Sequence, residues 1–132
     1  CSASCQWETS CQTDNSRKFV ACGASESGSF FGKYGDLDNV CGKKFEFQDQ
    51  IFVFEAKATA RVTVSYDAMP DKSDMGLFVL AGSCHGSLCI AEGSAEGDRH
   101  DVSFDAVAGT TYYFVLEAPS DQPDYTLKVS CP

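Results

Sequence analysis

At 132 residues and 14.2 kDa the chain is sized for one domain. Hydrophobic residues at 43% and charged residues at 22% exclude wholesale disorder, and eleven Gly with four Pro exclude collagen-like or Pro-rich sequence. Ten basic against nineteen acidic residues give a net charge of −9, which disfavours nucleic acid as a partner, and no apolar run approaches the roughly 18 residues of a transmembrane span.

Residues 1–18, CSASCQWETSCQTDNSRK, have neither helical nor strand period and read as an irregular arm stapled by cysteines. A single domain is expected over 19–132. A chain that opens at Cys1 rather than Met reads as a mature or trimmed product. Residues 23–42 are rich in Gly, Ser and Asp around Phe30, Phe31 and Tyr34, and read as loop with one short strand. Trp7 with these three rings makes an aromatic cluster whose plainest role is to pack the arm.

Strand patterns follow in close succession. QIFVFEA (50–56) is apolar on both faces. ARVTVSYD (60–67) alternates, with Val62, Val64 and Tyr66 on one side and Arg61, Thr63 and Ser65 on the other. A turn-rich break covers 68–74. MGLFVLAG (75–82) is a continuous apolar run suited to a strand buried on both faces, and LCIAEG (88–93) leads into a polar turn at 93–97. RHDVSFDA (99–106) places His100, Val102 and Phe104 on one face. TTYYFVLEA (110–118) is a strong strand, and DYTLKVSC (124–131) points Tyr125, Leu127 and Val129 inward. No helical stripe of ten residues occurs. The fold class expected is all-β, an antiparallel β-sandwich or jelly roll with a disulfide-stapled arm.

Eight cysteines, Cys1, Cys5, Cys11, Cys22, Cys41, Cys84, Cys89 and Cys131, read as disulfides formed in an oxidising compartment. Their spacings lack the paired C-x₂-C of thiolate zinc sites. The six-residue spacing predicts a Cys84–Cys89 bridge between two strand-like runs. Cys22 and Cys41 both precede Gly and flank one loop, which predicts a second bridge. Cys131 is then expected to reach Cys5, Cys11 or Cys1 and tie the arm to the last strand. An N-terminal Cys1 also carries an alternative reading, lipidation on a surface lipoprotein that acts as a binding module.

No nucleophile–base pair, HExxH, P-loop or dinucleotide fingerprint is present, and 93–97, GSAEG, has Ala95 and not Ser at the place a nucleophile elbow requires. A small secreted hydrolase using His85 or His100 is the weaker alternative. The acidic turns carry more chemistry. Asp36, Asp38 and Asn39 place three oxygen-bearing side chains within four residues, and Asp67, Asp71 and Asp74 crowd a second turn. Calcium takes six to eight oxygen ligands and suits such loops, so each cluster is a candidate calcium site.

From about residue 48 to 131 the chain resembles the bacterial prepeptidase C-terminal domain, in its cysteine-rich variety. QIFVFEAKATARVTVSYD is similar to that family's first strand pair. DMGLFVLAGSCHGSLCIAEG is similar to its "D-L-D-L-Y-L" strand and cysteine-bracketed loop, HDVSFDAVAGTTYYFVLEA to its "A-G-T-T-Y-Y" segment, and DYTLKVSC to its closing strand. VACG (20–23) and NVCG (39–42) resemble a cysteine-bearing entry. Gly76 stands where the second Asp of "D-L-D-L" is found, with Asp74 in the first place. The resemblance, which extends to collagen-binding-type β-sandwiches, implies an exported, non-catalytic accessory module. It would adhere to an extracellular polymer or protein surface, or self-associate into an assembly, in the extracellular space or at the cell surface.

Calcium binding is testable by thermal unfolding. A midpoint several degrees higher in calcium than in chelator, not reproduced by magnesium and removed by Asp36→Ala with Asp38→Ala, is expected if the first cluster holds the ion. An unchanged midpoint would leave both turns as solvated surface.

Overall fold

The computed structural model describes residues 18–29, 39–44, 49–69, 76–83, 88–96, 99–117 and 124–132. These form twelve strands: β1 (Lys18–Val20), β2 (Ser25–Ser29), β3 (Asn39–Val40), β4 (Lys43–Lys44), β5 (Asp49–Glu55), β6 (Ala60–Met69), β7 (Gly76–Ala81), β8 (Cys89–Glu92), β9 (Ser94–Glu96), β10 (Arg99–Ala106), β11 (Thr111–Glu117) and β12 (Asp124–Ser130). No described residue is helical. Two five-stranded sheets form a sandwich, one ordered β1-β5-β11-β7-β8 and the other β2-β12-β6-β10-β9; β3 and β4 make a separate hairpin. The accessible surface is 6722 Å², against roughly 6,800 Å² from the scaling of area with mass.

Alternation places the core. Val62, Val64 and Tyr66 of β6, Val102 and Phe104 of β10, and Tyr125, Leu127 and Val129 of β12 meet Phe52, Phe54, Leu77, Val79, Tyr112, Phe114 and Leu116 of the first sheet. Phe104 meets Phe114 edge-on at 5.9 Å and Phe52 meets Tyr125 edge-on at 6.0 Å, so aromatic contacts join the two layers.

The three central strands of the first sheet are buried on their other face too. Ile51, Val53, Phe78, Leu80, Tyr113 and Val115 form a second cluster, with Cys41 and Cys89 packed against it. This is the structural content of the continuous apolar runs at 50–56, 75–82 and 110–118: one set of alternate residues fills the inter-sheet core and the other set fills this outer layer.

Most connections cross from one sheet to the other. Only β7–β8 and β9–β10 are neighbours in both chain and sheet within the sandwich. At one end the β5–β6 and β10–β11 corners lock together. Ala56 N–H donates to Thr110 O (3.0 Å), Gly109 N–H to Ala56 O (2.9 Å) and Val107 N–H to the Tyr112 hydroxyl (2.8 Å).

Several sequence expectations need correction. At the junction of the expected arm and domain, residues 18–20 form a strand that the sequence pattern did not predict, β1, paired in parallel with β5 through Lys18↔Phe52 to Val20↔Phe54. The polar turn expected at 93–97 contains β9, paired with β10. The Ser- and Gly-rich segment holds β2, bound to β12, and ends in the β3–β4 hairpin.

The disulfides also differ. Cys22 joins Cys131, not Cys41 or the arm, and Cys41 joins Cys89, so Cys89 is not linked to Cys84. Cys41 (φ 54°) and Gly42 (φ 79°) occupy the two central positions of the β3–β4 turn. Positive φ at both positions is the geometry of a two-residue hairpin turn, and a non-Gly residue adopts it at some cost. The turn brings Cys41 to Cys89 on the outer face of the first sheet. Cys1, Cys5, Cys11 and Cys84 lie outside the described residues.

Candidate functional site

The recess best placed for recognition is a groove of about 600 Å³ at the sandwich end where β1 stops. Its floor is core: Val20, Phe54 and Val62 are buried. Its walls are Phe19, the Cys22–Cys131 disulfide and Pro132. Phe19 is 70% exposed, because Val20 takes the inward place and alternation turns its neighbour out. Glu55 and Lys57 stand at the rim, 3.8 Å apart and open to water, so their pairing contributes little.

The chain enters this corner by crossing from β1 in the first sheet to β2 in the second. Gly23 N–H donates to Val129 O (2.9 Å) and Val129 N–H to Ala24 O (2.9 Å), so the crossing is sewn to β12. Cys22–Cys131 closes it over a sequence separation of 109 residues. Such a loop gives about 5 kcal/mol in the chain-entropy picture.

The titratable groups of the core serve the fold. The Tyr66 hydroxyl donates to the Glu117 backbone carbonyl at 3.0 Å, spanning from β6 to β11. Burial drives the Tyr66 phenol far above its ordinary pKa, and the Glu117 and Tyr125 charges push the same way. Tyr125 is also raised, chiefly by burial, with Lys18 opposing.

His100 sits on β10 opposite Tyr66 of β6 and Ala95 of β9. Its ring lies 6.5 Å from the Tyr66 ring and hydrogen-bonds the Gly93 backbone. Its Nδ1 is buried with no hydrogen-bond partner. Gly93 is where the chain passes from β8 to β9, and its N–H donates to Leu77 O at 2.7 Å. A Cβ at Gly93 would fall 2.9 Å from that of Leu77, so the close crossover needs glycine. His100 thus braces a crossover, and its contacts here are with Tyr66 and backbone, not with a nucleophile.

Asp67 of the second acidic cluster lies on β6, half-buried, in register with Thr126 and Arg99. Asn39 opens β3, opposite Lys44. Asp36, Asp38, Asp71, Asp74, His85, Trp7, Phe30, Phe31 and Tyr34 lie outside the described residues. Among the described residues no three His, Cys, Asp or Glu side chains gather as metal ligands. The groove went unread in the sequence because KFV is too short to show a period. The one available signal was Cys22 two residues after an apolar pair.

No family model matches the chain, and no curated protein does. Several solved structures are similar, among them the following two. One is the pre-peptidase C-terminal domain of a collagenase from Bacillus anthracis, 18% identical with a TM-score of 0.64, over 86% of this chain and 94% of that one. The other is PliG of Aeromonas hydrophila, a periplasmic lysozyme inhibitor of g-type lysozyme, 16% identical with a TM-score of 0.56, over 88% of this chain and 99% of that one. At these identities the likeness is one of fold.

The His100 environment predicts an acid dependence. Burial lowers its pKa; the Gly93 hydrogen bond and the Asp101 and Glu92 carboxylates oppose this more weakly. With the folded pKa below the unfolded value of about 6.5, the unfolded chain takes up the proton first as pH falls. The stabilisation is full above the unfolded pKa and is lost as pH falls through it toward the folded one. Denaturant unfolding between pH 7 and 5 should show this decline, and His100→Gln should flatten it. An equal slope in the variant would assign the decline to other groups.

Proposed function

We propose that the chain is a non-catalytic accessory or structural module of a secreted bacterial protein, working by surface recognition in the extracellular space or cell envelope. The observation that carries this reading is the chemistry of the groove: its floor and walls are aliphatic, aromatic and disulfide groups, and its charged rim residues, Glu55 and Lys57, face each other. Apolar walls desolvate a partner's side chains; they do not move protons or hold a nucleophile.

The compartment follows from chemistry. Two disulfides with sequence separations of 109 and 48 residues tie distant parts of the chain, and such bonds persist where thiols are oxidised. Of the similar folds, the lysozyme inhibitor is described as periplasmic, a setting of the same kind. The sequence resemblance to cysteine-rich prepeptidase C-terminal domains supports the same role. Its relatives' ligands do not transfer, because the groove residues lie partly outside the resembling segment.

The test pairs turnover with recognition. Incubation with peptide, ester and glycan panels should give no hydrolysis above buffer, and His100→Gln should change nothing. Hydrolysis that vanishes in His100→Gln would overturn the reading. An environment-sensitive apolar dye should bind the folded chain, and Phe19→Ser should weaken that binding at least several-fold. Undiminished binding would remove the groove from the account.

A further inference from the structure

The first sheet ends in two strands whose outer edges meet no further strand among the described residues, β1 on one side and β8 on the other. Their directions follow from the ladder. β1 runs parallel to β5, while β5–β11, β11–β7 and β7–β8 are each antiparallel. β1 and β8 therefore run in opposite directions. A second copy displaced along the sheet, without inversion, presents its β8 antiparallel to the first copy's β1, the more stable pairing.

The side chains agree with the backbone. Among the described residues four large hydrophobic side chains are exposed: Phe19 at 70%, Val107 at 54%, Ile90 at 50% and Leu88 at 40%. Three of the four lie on or beside the two edges of the first sheet. The second sheet's edge strands, β2 and β9, are SESGS and SAE and carry none. Val20 packs into the inter-sheet core, so its neighbour Phe19 is on the outer face. Ala91 packs against the same core, which puts Ile90 on the outer face as well. Ile90 is the additional residue where the register between β7 and β8 shifts, a bulge that turns its side chain outward.

We propose that copies of this chain associate head to tail, β1 of one copy pairing with β8 of the next and Phe19 facing Ile90 across the junction. The inference rests on the reading of the chain as a structural module and names its partner as a second copy. The contact is heterologous, so it propagates and does not close as a two-fold dimer. Strands of three and four residues make each junction weak, which confines assembly to high local concentration. At −9 per copy, like charges oppose approach, and salt should strengthen the association by screening them over about 8 Å at physiological ionic strength.

Sedimentation velocity over micromolar to millimolar protein tests this. The unchanged chain should show a mass that rises with concentration past the dimer, more steeply at higher salt. Phe19→Lys alone and Ile90→Lys alone should remain monomeric. An equimolar mixture of the two should form dimers and nothing larger, because each variant keeps the edge the other lacks. The substituted side chains are exposed, and matching melting curves, or the milder Phe19→Ser and Ile90→Ser, check that the fold is kept. A monomer at every concentration, dimers of Ile90→Lys alone, or a mixture that stays monomeric would each overturn the proposal. Those results would leave the absence of turnover, which supports the non-catalytic reading, as it was.

Discussion

Burial of one sheet on both faces is the constraint from which the rest of this fold follows. β5, β11 and β7 each carry a continuous apolar run of four or more residues and cannot be satisfied by a sandwich alone, which covers only one face. The second sheet supplies the inner cover with strands that alternate strictly and turn Thr63, Ser65, Ser103 and Thr126 to the outside. The outer cover is pinned to the first sheet by Cys41–Cys89, which fixes a tight hairpin turn against Leu80 and its neighbours. Burying a large aliphatic or aromatic side chain stabilises by roughly 1.5–3 kcal/mol, so the six residues of the outer cluster are a major share of stability.

The crossing connections explain why the sandwich ends are bonded so densely. A chain that keeps changing sheets must turn through corners whose backbone groups have no ladder partner. These groups are paired within and between corners, as in Val107 with Tyr112, Ala56 with Thr110 and Gly109 with Ala56. The β1-to-β2 crossing is sewn to β12 in the same way and then closed by Cys22–Cys131. The groove lies beside that closure, so the feature available for recognition is a by-product of how the chain is held shut.

The strands that could be seen in the sequence were those long enough to show a period. ARVTVSYD, RHDVSFDA and DYTLKVSC alternate over seven or eight residues and form β6, β10 and β12 with the predicted inward faces. The runs 50–56, 75–82 and 110–118 announced burial on both sides. β1 and β9, at three residues each, are shorter than two periods, and β2 is built of Ser, Glu and Gly, which have little strand preference. Pairing with β5, β10 and β12 makes them strands. The disulfides were misread for a related reason. Cys84 and Cys89 are close in sequence, but Cys89 lies on an edge strand beside the outer face, and Cys41 reaches it from 48 residues away. The groove depended on β1 and on Cys22–Cys131 together, so neither its location nor its walls could be seen.

The account stands or falls on what covers the outer face of the first sheet, and disulfide mapping addresses that most directly. Proteolysis of the oxidised chain under non-reducing, mildly acidic conditions, followed by mass spectrometry of the linked peptides, should recover Cys41 joined to Cys89 and Cys22 joined to Cys131. A peptide joining Cys84 to Cys89, or Cys22 to Cys41, would mean that the β3–β4 turn is not joined to β8 at the outer face, and this account of how that face is covered would be contradicted.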